Sequence, residues 1–137
     1  MALTAFKKIK KWNEDRGLIT NFDKFNLENE VSFIVEELIE GTKDIESIKA
    51  RKWAKRITWL IFKIPGVQAS REMMVDAFAD IIVFATGAIY KLGYDTDKVM
   101  KEVQKELDDR TGKLVDGKFI KDKKETRYIA DFTDCKL

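Results

Sequence analysis

The sequence predicts an all-α protein, a bundle of about five helices with an extended basic C-terminal tail, and three observations predict it. Apolar residues return at three- and four-residue intervals in five successive segments, the spacing of one helical face. The only proline and most of the seven glycines fall between those segments. Charged residues make up 36% and hydrophobic ones 45% of 137 residues, a balance that suits one soluble helical domain. Residues 1–110 are read as the helical core and 111–137 as the tail.

Leu3, Phe6 and Ile9 recur among lysines, with Trp12 beside them, and predict a first helix over Leu3 to Arg16 that Gly17 stops. Asn26 is a candidate N-cap for a second helix, Leu27 to about Gly41, with Leu27, Val31, Ile34, Val35 and Leu38 as its apolar stripe. Ile45 to Phe62 reads as a third helix, basic on one side, with Trp53, Trp59, Leu60 and Phe62 on the other. Pro65-Gly66 ends it. A fourth runs from Arg71 to about Leu92 with Gly93 after it, and a fifth from Asp95 or Thr96 to about Arg110, with Val99, Met100, Val103 and Leu107 facing inward. Periodicity then stops. Residues 111–137 read as extended, with a hairpin turn at Asp116-Gly117 and with Tyr128, Phe132 and Leu137 as docking points.

The 26 basic and 24 acidic residues nearly cancel, and no nucleic-acid-binding motif accompanies the basic runs, so no nucleic-acid partner is expected. With no histidine, His-based zinc sites and Ser-His or Cys-His catalysis are excluded; any metal must be held by oxygen. One cysteine, Cys135, precludes an internal disulfide and fits a reducing compartment. Thr111-Gly112-Lys113 lacks the other residues of a P-loop. The amino terminus has no apolar signal core, and the 16-residue apolar run at Val75 is read as too short and too acidic to span a bilayer. The expected location is cytoplasmic, without a membrane partner.

Two acidic motifs carry the functional argument. Asp76 and Asp80 are the only charged residues between Val75 and Tyr90. They lie one helical turn apart, with Cβ atoms on the order of 6 Å from each other. A helix apolar nearly all round is expected to be covered by protein, leaving both carboxylates partly buried. They would then need a basic side chain, a shared proton or a bound cation between them. The second motif is Glu36-Glu37-Leu38-Ile39-Glu40. Its Glu37 and Glu40 project with Asp44 within about 60° of one another, and Glu36 lies just beside Glu40. Alone, such a cluster reads as a solvated face. Should the two helices pack antiparallel, the four carboxylates would offer the all-oxygen surroundings that Mg²⁺ prefers, and with basic flanks such a site suggests a nucleotide or diphosphate substrate.

In this order and context the motifs resemble the MazG-like all-α nucleoside triphosphate pyrophosphohydrolases, especially the short single-domain phage and bacterial type. The resemblance extends through Trp12-Asn13-Glu14-Asp15-Arg16-Gly17-Leu18-Ile19, Lys91-Leu92-Gly93-Tyr94-Asp95, Arg110-Thr111-Gly112, Lys118-Phe119-Ile120-Lys121-Asp122-Lys123 and Tyr128-x-Ala130-Asp131-Phe132. It implies Mg²⁺-dependent hydrolysis (Mn²⁺ as a substitute) of a (deoxy)nucleoside triphosphate to the monophosphate and pyrophosphate, in a homodimer or homotetramer built from helical dimers. It implies metal ligation by Glu37, Glu40 and Asp80, with Asp76 as the fourth acid, and water activation by Glu36. Where the broader family has Glu-x-x-Asp, Ala77 stands three residues before Asp80; Asp76 and, a turn earlier, Glu72 are the acids present. Arg110, Lys113, Lys118 and Lys121 are candidates for the substrate phosphates. Trp12 is either a base-stacking platform or a core residue. Phosphoribosyl-ATP is an alternative substrate, and a non-catalytic helical oligomer is the alternative of another class.

Overall fold

The computed structural model describes residues 3–19, 22–116, 118–122 and 127–137. It is mostly helical. Five helices, α1 (Ala5–Asp15), α2 (Leu27–Thr42), α3 (Ser47–Phe62), α4 (Arg71–Lys91) and α5 (Thr96–Asp109), precede an antiparallel pair of short strands, β1 (Gly112–Val115) and β2 (Lys118–Lys121). Asp116 begins the turn between the strands with φ 50°, as expected of a hairpin in the tail; Gly117 lies outside the described residues. The chain divides into two compact units, Thr20–Gln68 and Met1–Ile19 with Ala69–Leu137.

The first unit is the α2–α3 helix pair. Asn26 caps α2, its side chain accepting a hydrogen bond from the Asn29 amide at 3.0 Å. The seam shares only part of the expected apolar stripe: Val35 is buried and Leu27, Val31 and Ile34 are half-buried, but Leu38 is not. α3 presents Ala50, Ala54 and Thr58, one turn apart and 0, 0 and 1% exposed, and against this low ridge α2 buries Ser32, Val35 and Glu36. Small side chains let the helices approach closely, and the close approach favours the shorter and polar side of α2 over bulky Leu38. Leu38 is accordingly 62% exposed, and Trp53, Trp59, Leu60 and Phe62 of α3 are also exposed. Arg56 lies over Trp53 and Lys63 over Trp59, so part of that aromatic surface is covered by cations of its own helix.

The second unit is organised on α5, against which α1, α4 and the chain's last turn pack. Thr4 caps α1, Ser70 caps α4 and Asp95 caps α5. Gly17 and Gly93, at φ 67° and 90°, supply the left-handed residue that turns the chain off α1 and α4. Trp12 of α1 is buried, donates its indole N–H to the Leu107 carbonyl at 2.7 Å, and meets the Phe119 ring edge-on. Arg16 lies 4.1 Å above the Trp12 ring and 5.5 Å from the centre of the Phe119 ring. Val99 is the buried anchor of α5.

The tail docks through polar groups more than through the expected aromatics. The Tyr128 and Ala130 amides donate to Asp109 and Glu106 at 2.6 and 2.9 Å, and the Tyr128 hydroxyl donates to Glu102. Cys135 is buried, its carbonyl accepting from the Asp95 amide at 2.8 Å, whereas Phe132 and Leu137 stay exposed. Carboxylates along α5 can take the backbone N–H groups of an irregular segment, which apolar side chains cannot.

α4 departs furthest from expectation. None of its residues is buried; Val75, Ile81, Ile82, Val83 and Phe84 are all exposed, and so are Asp76 and Asp80. Within its unit α4 meets only α5 among the helices, and one neighbour cannot cover a helix that is apolar on most sides. Its 21 residues also correct the length argument, because the helix runs past the 16-residue apolar stretch. By length and composition alone it suffices to cross a membrane.

Two outcomes check this packing. Ala54→Leu forces a large side chain into the α2–α3 seam and is expected to cost about 1–3 kcal/mol in chemical denaturation; an unchanged midpoint contradicts the close seam. The Lys105 ammonium, hydrogen-bonded to Glu102 at 2.8 Å, and then the Tyr128 hydroxyl hold the Glu102 carboxyl below its ordinary range. That depression contributes stability above the unfolded carboxylate value, and the contribution disappears as pH falls through the folded value. Tyr128→Phe should therefore lower the melting temperature more at neutral pH than in acid, once the pH has fallen through the depressed folded value of Glu102. Equal losses at both pH values contradict the linkage.

Candidate functional site

The three glutamates of the first motif occupy two environments on α2. Glu36 is 6% exposed in the seam, where Arg51 Nη1 donates to its Oε2 at 3.1 Å. The guanidinium lies 4.9 Å from the centre of the Phe33 ring, which limits where it can swing. Glu37 and Glu40 are exposed on the neighbouring side of the helix, one turn apart. The sequence places Glu36 next to the Glu37–Glu40 pair; the structure adds that Glu36 is drawn into the helix pair and held by a guanidinium. Arg51 was absent from the sequence-derived site. The signal for it was the change from acids before Glu46 to bases after Lys49, which puts opposite charges on helices joined by a short connection.

Asp76 and Asp80 stand one turn apart on the exposed surface of α4. They are not buried as expected, and their exposure follows from that of the whole helix. Among the described residues of each unit, no three acidic or cysteine side chains gather into a metal-holding group. The donor chemistry nevertheless suits a hard divalent cation, since each motif contributes a pair of exposed carboxylates and no softer ligand.

Arg110 and Lys121, two of the four phosphate candidates, line one small cleft of about 10 Å³ in the α5–hairpin unit, together with Arg127. Glu106, Asp109 and Asp122 line it too, and Arg110 pairs with Glu106 at 3.6 Å. Three cations against three carboxylates leave little net field for a phosphate. Lys113 and Lys118 sit on the hairpin, Lys113 exposed and Lys118 half-buried. Lys123 of the matching stretch lies outside the described residues. Trp12 serves as a core residue, its ring enclosed by Phe119 and Arg16.

Comparison with known proteins adds no relative: no family model, curated protein or solved structure matches the chain.

The Arg51–Glu36 pair gives a direct test. Their side chains are 22% and 8% exposed, so Arg51→Met withdraws a cation from a carboxylate largely cut off from water. The expected loss is on the order of 2–3 kcal/mol, somewhat under the about 3–5 kcal/mol of a fully buried pair. Arg51→Met/Glu36→Met should recover most of it. A double variant no more stable than the single one contradicts the pairing.

Proposed function

We propose that the chain is a Mg²⁺-dependent nucleoside triphosphate pyrophosphohydrolase of the MazG-like all-α type. It converts a (deoxy)nucleoside triphosphate to the monophosphate and pyrophosphate, in the cytoplasm, for nucleotide-pool control or house-cleaning. The observation that carries this reading is the division of labour on α2: Glu36 withdrawn and fixed by Arg51, Glu37 and Glu40 exposed beside it. A water-activating carboxylate needs a fixed orientation, whereas metal ligands need access to an incoming ion.

In this mechanism Glu37, Glu40, Asp76 and Asp80 would hold Mg²⁺, which when bound neutralises phosphate charge and orients the reacting group. Glu36 would accept the proton of a water that reaches the 8% of its side chain left exposed, and Arg51 keeps its carboxylate from turning away. Of the four basic candidates, Lys113 and Lys118 on the hairpin are proposed to meet the charge that moves onto the leaving pyrophosphate, since Arg110 and Lys121 are balanced by the carboxylates of their own cleft. A homodimer or dimer of dimers would cover the apolar surface of α4, on which Asp76 and Asp80 stand.

The non-catalytic reading has an observation in its favour, because Glu36 is paired with a base of the Lys49–Lys63 segment, as a merely structural acid would be. Metal dependence separates the two. Pyrophosphate release should appear with Mg²⁺ and vanish with EDTA across a panel of ribo- and deoxynucleoside triphosphates including dUTP. Asp80→Asn should abolish that turnover while preserving helical content, and Glu36→Gln should reduce kcat far more than Mg²⁺ affinity. Full activity in Asp80→Asn removes the metal assignment. Silence of the folded wild type across the panel, and with phosphoribosyl-ATP, leaves the structural oligomer.

A further inference from the structure

The α2–α3 unit contains a hollow of about 240 Å³ on the α2 N-terminal side of the Glu36–Arg51 pair. Asn29 and Ser32 of α2, with Asn26 and Glu28 at the start of that helix, line it opposite Arg51, Lys55, Thr58 and Trp59 of α3. Sites for drug-sized ligands run to roughly 300–1,000 Å³. This one suits a smaller body.

Thr58 marks the hollow as more than a surface dent. It is 1% exposed, and its Oγ1 is the one buried side-chain polar atom without a hydrogen-bond partner among the described residues. Buried hydroxyls are seldom left so, and a helix seam made otherwise of Ala50 and Ala54 would accept valine in the same shape. A threonine there makes sense if a polar group comes to it. The other walls indicate what kind of group. Trp59 is 54% exposed and offers a flat aromatic ring at the rim, with the Lys63 ammonium over one face and the other face left for stacking. The Asn29 amide combines a donor and an acceptor, as hydrogen bonding to the edge of a heterocycle requires. Lys55 supplies positive charge beside them, and Arg51, already paired with Glu36, adds its remaining N–H donors, against one carboxylate, Glu28.

A flat stacking surface, a donor–acceptor edge and adjacent cations, in a space too small for a whole triphosphate, together describe recognition of a base with phosphate trailing from it. We infer that this hollow holds the base of the nucleotide, its ring against Trp59 and its polar edge toward Asn29 and Thr58. The inference rests on the hydrolase reading for its choice of a nucleotide. Arg51 links the two, since it lines the hollow and grips Glu36, so a seated base adjoins the proposed water-activating acid. The hollow is the specificity-determining element of the reaction, and base choice depends on residues 29, 58 and 59.

The test is calorimetric binding of deoxynucleoside monophosphates with five bases, including uracil, to the full chain without metal. At least one is expected to bind, and Thr58→Val and Trp59→Leu should each weaken it about tenfold. Asn29→Ala, at the helix rim, keeps the test decisive if either seam variant loses helical content. Monophosphate affinity unchanged in all three variants, or no binding by the wild type, overturns the assignment. Triphosphate hydrolysis whose KM is indifferent to the three substitutions also removes the hollow but leaves the hydrolase standing. Base-selective binding lost in the variants, from a protein that hydrolyses nothing, keeps the hollow and removes the hydrolase.

Discussion

The contact between the Arg51 guanidinium and the buried Glu36 carboxylate, 3.1 Å across the α2–α3 seam, is the interaction on which the functional account depends. It exists because the buried ridge that α3 turns to α2 is made of Ala50, Ala54 and Thr58, so the helices come close enough for one polar turn of α2 to be enclosed. A bulkier ridge would hold the helices apart and leave Glu36 in water. Enclosed without a cation, the carboxylate would be costly to bury. Fixing that one acid also rotates Glu37 and Glu40 outward and leaves the hollow beside Thr58, so a packing choice on α3 has consequences for chemistry on α2.

The α5 unit solves a different problem with the same means. Its tail has too little apolar surface to dock by burial, so Glu102, Glu106 and Asp109 accept hydrogen bonds from Tyr128 and Ala130 along one side of α5. Trp12 and Val99 supply the apolar anchor, and Cys135 completes it where the last turn returns to Asp95. α4, by contrast, has apolar residues on most sides and, among the described helices of its unit, meets α5 alone. A helix of that composition is stable in water only when another surface covers it, which is the physical ground for proposing an oligomer.

Much of the architecture was legible in the sequence. The five helices begin and end within a few residues of the positions set by Asn26, Pro65, Gly17, Gly93 and Asp95, because caps and breakers act locally. Which face each helix buries was less legible. Periodicity favoured Leu38 and the tryptophans of α3, but small residues decide how closely helices approach, and that depends on the partner. Burial of Asp76 and Asp80 was inferred from the apolar character of α4, a property that describes what the helix needs and not what the single chain supplies. The acids themselves were found by spacing; Arg51, Thr58 and Arg127 were not, because each acquires its place only through packing against another element.

The most direct measurement of the central claim is Mn²⁺ electron paramagnetic resonance on the full chain with a non-hydrolysable α,β-imido nucleotide. The account predicts that wild-type protein removes the free-ion signal in proportion to its concentration and that Glu37→Gln and Asp80→Asn each restore it. A signal undiminished by the wild type, or one that both variants quench equally well, would contradict the proposal that these acids are metal ligands.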